Sequence, residues 1–178
     1  MTCRQRTTSA RAARRGAAMP RFQDVLLLLG QLNYTWTNTE SLLIHIIAGL
    51  AMSDKETAIV IFLTLNTPRA RIDLVERLAK MQKTPPQCRA EVLDATKRLS
   101  EEARLRNKYN HCIYSFDPDS GRGITQSMRI FEGRDDIKYG KIEELDDREV
   151  ERIRQSIRTL VKINQNFWRI TEKYGFPR

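Results

Sequence analysis

The sequence predicts an all-α fold, a bundle of four to five helices with a β-hairpin inserted before the last helix. Three observations predict it. Apolar residues recur at helical spacing through most of the chain. Helix-start signals precede those runs at Ser53, Thr67 and Asp146. A single stretch, about 115 to 144, switches instead to turn residues and short runs of strand formers.

The first helix runs from about Phe22 to Leu50, with a stripe of Val25, Leu29, Leu32, Trp36, Leu43, Ile47 and Leu50. Asn33, Thr37, Asn38, Glu40 and Ser41 make its middle polar. The second opens on Ser53-Asp54-Lys55-Glu56, a capping-box pattern. It continues through Ile59 to Leu63, apolar on all sides, which predicts a central buried helix. Asn66-Thr67-Pro68 stops it. Thr67 as N-cap and Pro68 as first residue start a third helix, through Ile72, Val75 and Leu78 to Met81. Lys83-Thr84-Pro85-Pro86 is a break, and the fourth helix runs from about Gln87 to His111. Asp117 to Gly123 is a turn. Ile124 to Glu132 and Ile137 to Glu143 are two strands joined by Gly133-Arg134-Asp135-Asp136. Asp146, with Glu149 three residues on, caps the last helix, whose stripe is Val150, Ile153, Ile157, Leu160, Val161, Asn164 and Trp168.

Charge and cysteine content narrow the setting. Residues 1–20 read as a disordered basic tail and 21–175 as one helical domain. Six arginines and no acid lie in the first 21 residues, so removing them takes the net charge from +9 to +3. The body is therefore nearly balanced, and its net charge alone does not imply a broad nucleic-acid footprint. The tail loosely fits a transit composition, but Met19 as the true start is the simpler reading. Three scattered cysteines, no CxxC and only two histidines build no familiar zinc site. No cofactor is expected, and a reducing cytoplasmic setting is the simpler inference. No apolar run reaches the ~18 residues of a membrane span, so no membrane partner is expected.

The chemistry concentrates in Arg106-Asn107-Lys108-Tyr109-Asn110-His111. At ~100° per residue, the fourth helix carries Val92, Ala95, Leu99 and Ala103 on one arc. The same arc continues to Arg106 and Asn110, with Asn107 at its edge, while Arg104 and Lys108 fall on the solvated side. His111 lies ~140° around from Arg106, so the two bracket a patch holding both asparagines. A guanidinium fork binds phosphate through paired hydrogen bonds, and an imidazole transfers protons near neutral pH. Together they suffice for metal-free RNA cleavage. The base removes the 2′-hydroxyl proton, that oxygen attacks its own phosphate, and the arginine stabilises the developing charge. A structural reading competes. Glu102, four residues before Arg106, is placed to neutralise it as a helical ion pair. The helix dipole favours a charged His111, and Asn110 can help end the helix.

The run Arg106-Asn107-x-x-x-His111 resembles the RNxxxH signature of HEPN domains, all-α bundles of four or five helices with the signature late in the bundle. The resemblance covers about residues 22 to 170, with its diagnostic part in these six residues. It implies a metal-independent endoribonuclease with Arg106 and His111 as catalytic residues and Asn107 supporting. It further implies RNA as substrate, a homodimer in which two motifs share a cleft, and an antitoxin-type protein partner. A toxin subgroup carries tyrosine two residues after the histidine. Ile113 stands there in this chain, and Tyr114 follows it. The alternative function is a non-catalytic helical interaction or dimerisation module in which the same residues form a polar seam. Nucleotide or small-anion binding at Arg106 is a third possibility.

Other signals carry less. Asp117-x-Asp119 fails as a calcium loop, because Gly121 and Met128 stand where ligands belong. His45, within Leu43-Ile44-His45-Ile46-Ile47, reads as a satisfied core or interface histidine. Asp146-Asp147 reads as a cap, and Trp36 and Trp168 as core.

Overall fold

The structure is a computed structural model that describes residues 23–117, 119 and 122–178. The expectations for the basic tail and for Met19 lie outside the described residues. Helix α1 covers residues 23–41. It is followed by α2 (Leu43–Ala51), α3 (Lys55–Thr64), α4 (Pro68–Ala79) and α5 (Pro86–Asn110). Five strands come next: β1 (Cys112–Phe116), β2 (Gly123–Ser127), β3 (Ile130–Glu132), β4 (Ile137–Tyr139) and β5 (Ile142–Glu144). Helix α6 (Asp147–Lys173) closes the chain. The protein is thus mostly helical with a small antiparallel sheet, and none of the described helices is long and apolar enough to cross a membrane.

The long first helix of the sequence reading is two helices. Leu42 donates its N–H to Thr39 O at 3.2 Å, a three-residue step that tightens the chain. Thr39 Oγ1 bonds back to Thr35 O at 2.7 Å and Ser41 Oγ to Asn38 O at 3.0 Å, so hydroxyls compete for the helix carbonyls at the break. Helix α2 ends with Met52 in the left-handed region, φ 55, and Ser53 N–H reaching back to Ala48 O at 3.0 Å. Asp54, one residue later than Ser53, caps α3 by accepting Thr57 N–H at 2.7 Å. Thr67 caps α4 through Ala70 N–H at 3.1 Å, with Pro68 first in the helix, as its sequence predicts. Asp146 caps α6 by accepting Glu149 N–H at 2.9 Å.

The chain divides into two compact units, each drawn from separate sequence segments. One holds residues 33–106 and 156–178 and is entirely helical in its regular elements. Its core includes Trp36, Leu43, Ile46, Ile47, Val75, Leu99, Leu160, Ile163, Phe167 and Ile170. Helix α3 lies in this unit, and the expectation of a central buried helix is wrong. Only Ala58 and Phe62 are buried there, while Val60 and Leu63 are 62% and 63% exposed. Being apolar all round, α3 offers several possible inner faces, and its neighbours cover only one. The α6 stripe also rotates. Beyond Leu160 the buried apolar positions are Ile163, Phe167 and Ile170, and Trp168 is 41% exposed rather than core.

The other unit contains the described residues up to Leu32 together with 107–155. Its core is Val25, Leu28, Leu32, Tyr109, Leu145, Val150 and Ile153. The insert is larger than a hairpin and begins at Cys112, so all-α is too narrow a class. Strands β1, β2 and β5 form a three-stranded antiparallel sheet in the order β1-β2-β5, and β3 pairs with β4. The two expected strands are present but broken. Ile124 faces Glu144 and Gln126 faces Ile142, whereas Ile130 faces Tyr139. Ser127 N–H donates to Lys141 O at 3.1 Å, and between the two ladders the three residues 127–129 stand against only two, 140 and 141. This is a β-bulge of one extra residue. Gly140 is required there, because a Cβ would meet Ser127 O at 1.7 Å. Strand β1, absent from the sequence reading, pairs with β2 along its whole length from Cys112↔Ser127 to Phe116↔Gly123.

Candidate functional site

Within the all-helical unit, Arg106 is half-buried near the end of α5. Its guanidinium carbon lies 5.7 Å from the centre of the Trp36 ring, within cation–π range. Trp36 is held firmly. Its Nε1–H donates to Glu40 Oε2 at 2.8 Å, and Glu40 Oε1 receives Arg71 Nη1 at 2.8 Å. Arg71 Nε in turn donates to Phe62 O at 3.1 Å, with its guanidinium 4.1 Å above the Phe62 ring. Glu40 is only 6% exposed, and this double engagement is what a buried carboxylate requires. Glu102 accepts a short hydrogen bond from Ser156 Oγ. Burial pushes its carboxyl above the ordinary glutamate range, and the Ser156 hydroxyl only partly offsets that. His45 is buried, as read, with Nδ1 2.7 Å from Pro177 O and its ring 5.2 Å from that of Trp168. A carbonyl only accepts, so Nδ1 carries the proton.

Within the other unit, two of the remaining motif residues, Lys108 and Tyr109, meet at Glu149. Lys108 Nζ donates to Glu149 Oε2 at 2.8 Å and pairs with Glu143 Oε2 at 3.0 Å. Tyr109, 2% exposed, donates its hydroxyl to Glu149 Oε2 at 2.5 Å. Arg152 Nη1 reaches Glu149 Oε1 at 2.6 Å. Burial opposes ionisation of Glu149, but hydrogen bonds from Lys108, Tyr109 and Arg152 outweigh it and hold the carboxyl down at about 2. Burial and the adjacent Glu149 charge push the Tyr109 phenol well above its usual range. Tyr114 donates its hydroxyl to Tyr109 O at 2.6 Å, clamping β1 to the helix end. His111 is exposed and sits one residue past α5. Its N–H donates to Asn107 O at 3.2 Å, and its carbonyl accepts Met128 N–H at 2.8 Å. Asn107 is half-buried and Asn110 exposed.

Two placements from the helical wheel therefore change. Lys108 is not a solvated surface charge but the centre of two carboxylate pairs, at 24% side-chain exposure. Asn110 does not continue the apolar arc; Tyr109 takes the inward position, because its hydroxyl finds Glu149. Sequence reasoning missed the Glu149 hub and the Trp36–Glu40–Arg71 network. The Trp36–Glu40 pair was visible as an i,i+4 spacing, whereas Lys108 and Glu149 are 41 residues apart and carry no local signal. No group of three or more His, Cys, Asp or Glu side chains able to hold a metal ion occurs among the described residues. The chain was compared with protein-family models, curated proteins and solved structures, and none of them matches.

Proposed function

We propose that this chain is a HEPN-like, metal-independent endoribonuclease acting as a homodimer. The observation that carries the reading is the end of α5 at Asn110. It makes His111 the first residue off the helix and leaves it exposed, while Glu149 occupies Lys108 and Tyr109 just before it. His111 then acts as the base that takes the 2′-hydroxyl proton. The alkoxide attacks the adjacent phosphorus, the 5′-oxygen leaves with the proton returned by the His111 imidazolium, and a 2′,3′-cyclic phosphate remains. Arg106, backed by the Trp36 face, holds the phosphate and stabilises its developing charge. Asn107 supports the phosphate or ribose.

The test is cleavage of single-stranded RNA in EDTA. Arg106→Ala and His111→Ala should each abolish it, and RNA with 2′-O-methyl groups should resist. Cleavage that survives both substitutions would overturn the proposal.

A second reading, a non-catalytic interaction module, draws on the insert. Ile130, Phe131, Ile137, Tyr139 and Ile142 are all more than half exposed there. It predicts no cleavage by the wild-type protein, together with lost self-association when Phe131 and Tyr139 are both replaced by serine.

A further inference from the structure

The all-helical unit brings the α5 stretch 86–106 against the α6 stretch 156–173. Lys173 Nζ meets Glu91 Oε1 at 2.6 Å at one end of this seam, and Ser156 meets Glu102 at the other. The two stretches are therefore antiparallel, and both ends of the seam are closed by matched polar pairs. The middle is different. A groove of about 320 Å³ opens there, lined by Asp94, Arg98, Lys162, Gln165, Asn166 and Arg169. Three cations face one acid, an excess of two positive charges. Asp94 meets Arg98 at 3.8 Å, a loose contact between well-exposed side chains, and such pairs contribute little. Arg169 Nη2 donates to Asn166 Oδ1 at 2.6 Å, which leaves the Asn166 amide N–H groups as donors.

We infer that the middle of the α5/α6 seam binds the phosphodiester backbone of single-stranded RNA through Arg98, Lys162 and Arg169. The inference rests on the RNA reading above and adds a binding surface separate in sequence from Arg106 and His111. Two arginine forks and an ammonium match successive phosphate oxygens, and the Gln165 and Asn166 amides supply donors that require no counter-charge. Such contacts carry little base specificity, so the groove grips RNA of any sequence.

The experiment measures affinity of the full chain for a labelled 2′-O-methyl oligouridine, which cannot be cleaved, as salt is raised. Arg98→Gln, Lys162→Gln and Arg169→Gln combined should lower the salt slope by ~2, since each lost phosphate contact removes ~0.7 on a single strand. A control with Lys55, Lys80 and Lys83 changed to glutamine loses the same charge on exposed positions of the same unit and should keep the slope. Circular dichroism confirms that both variants fold. An unchanged slope in the groove variant, an equal drop in the control, or no binding by the wild-type protein would overturn the inference. Groove-dependent binding without cleavage of ordinary RNA would instead remove the ribonuclease reading and leave the groove standing.

Discussion

Glu149 and Glu102 show how one residue type takes opposite roles according to its partners. Glu149 receives three donors and stays ionised, whereas Glu102 is desolvated with one hydroxyl for company. The folded-state pKa of Glu149 is depressed to about 2. Its contribution is therefore present above the unfolded glutamate value and is lost as pH falls through about 2. Glu149→Gln should cost at most about 3 kcal/mol at pH 7 and flatten the acid limb of the stability curve, read by urea unfolding from pH 7 to pH 2. An acid limb as steep as wild type would refute the hub. Glu102 has a raised pKa, so its contribution is full below the unfolded value and falls as pH rises through the folded one. Glu102→Gln should then cost less than about 1 kcal/mol at pH 7, because glutamine keeps an acceptor for Ser156 without a buried charge. The RNxxxH spacing was legible in the sequence. The roles of the residues around it were not, because Lys108, Tyr109 and Glu102 are each placed by a partner far along the chain.

At the scale of elements, the starts of α4 and α6 were well encoded, whereas the break at Leu42 and the pattern of burial were not. Thr67-Pro68 and Asp146 start helices where local chemistry demands. Met52 holds a position that glycine suits better, since a left-handed φ of 55 strains a side chain with a Cβ. Met52→Gly should stabilise the protein by about 0.5–1 kcal/mol, seen as a raised melting temperature, after allowing for the greater freedom of glycine when unfolded. Gly140 is the reverse case. Gly140→Ala should cost about 1–3 kcal/mol, because the added methyl runs into the Ser127 carbonyl across the bulge. An NMR spectrum should show the loss as shifts confined to β2, β5 and the β3–β4 hairpin. Helix α3 misled because all-round apolarity is symmetric under rotation, so periodicity could not choose its inner face. Strand β1 was missed because Cys112 to Phe116 follows α5 with no turn signal, and its strand identity comes from pairing with β2.

For the whole molecule, protection should vary within each unit. Strands β3 and β4 are exposed on both faces, whereas Leu43, Ile46, Ile47 and Leu99 are wholly buried in helices. Hydrogen exchange should release the β3–β4 amides through local opening while the α2 and α5 core amides exchange only with the deepest opening of their unit. Equal protection across these segments would contradict that gradient. The mostly helical class, the helix starts at Thr67 and Asp146, the buried Trp36 and His45 and the location of the insert were determined by the sequence itself, because caps, turns and helical spacing act between near neighbours. The two-unit division, the five-stranded form of the insert, the exposed face of α3, the outward Trp168 and the Glu149 hub were decided only by tertiary structure. Each depends on which distant surface a side chain meets, and local spacing carries no record of that.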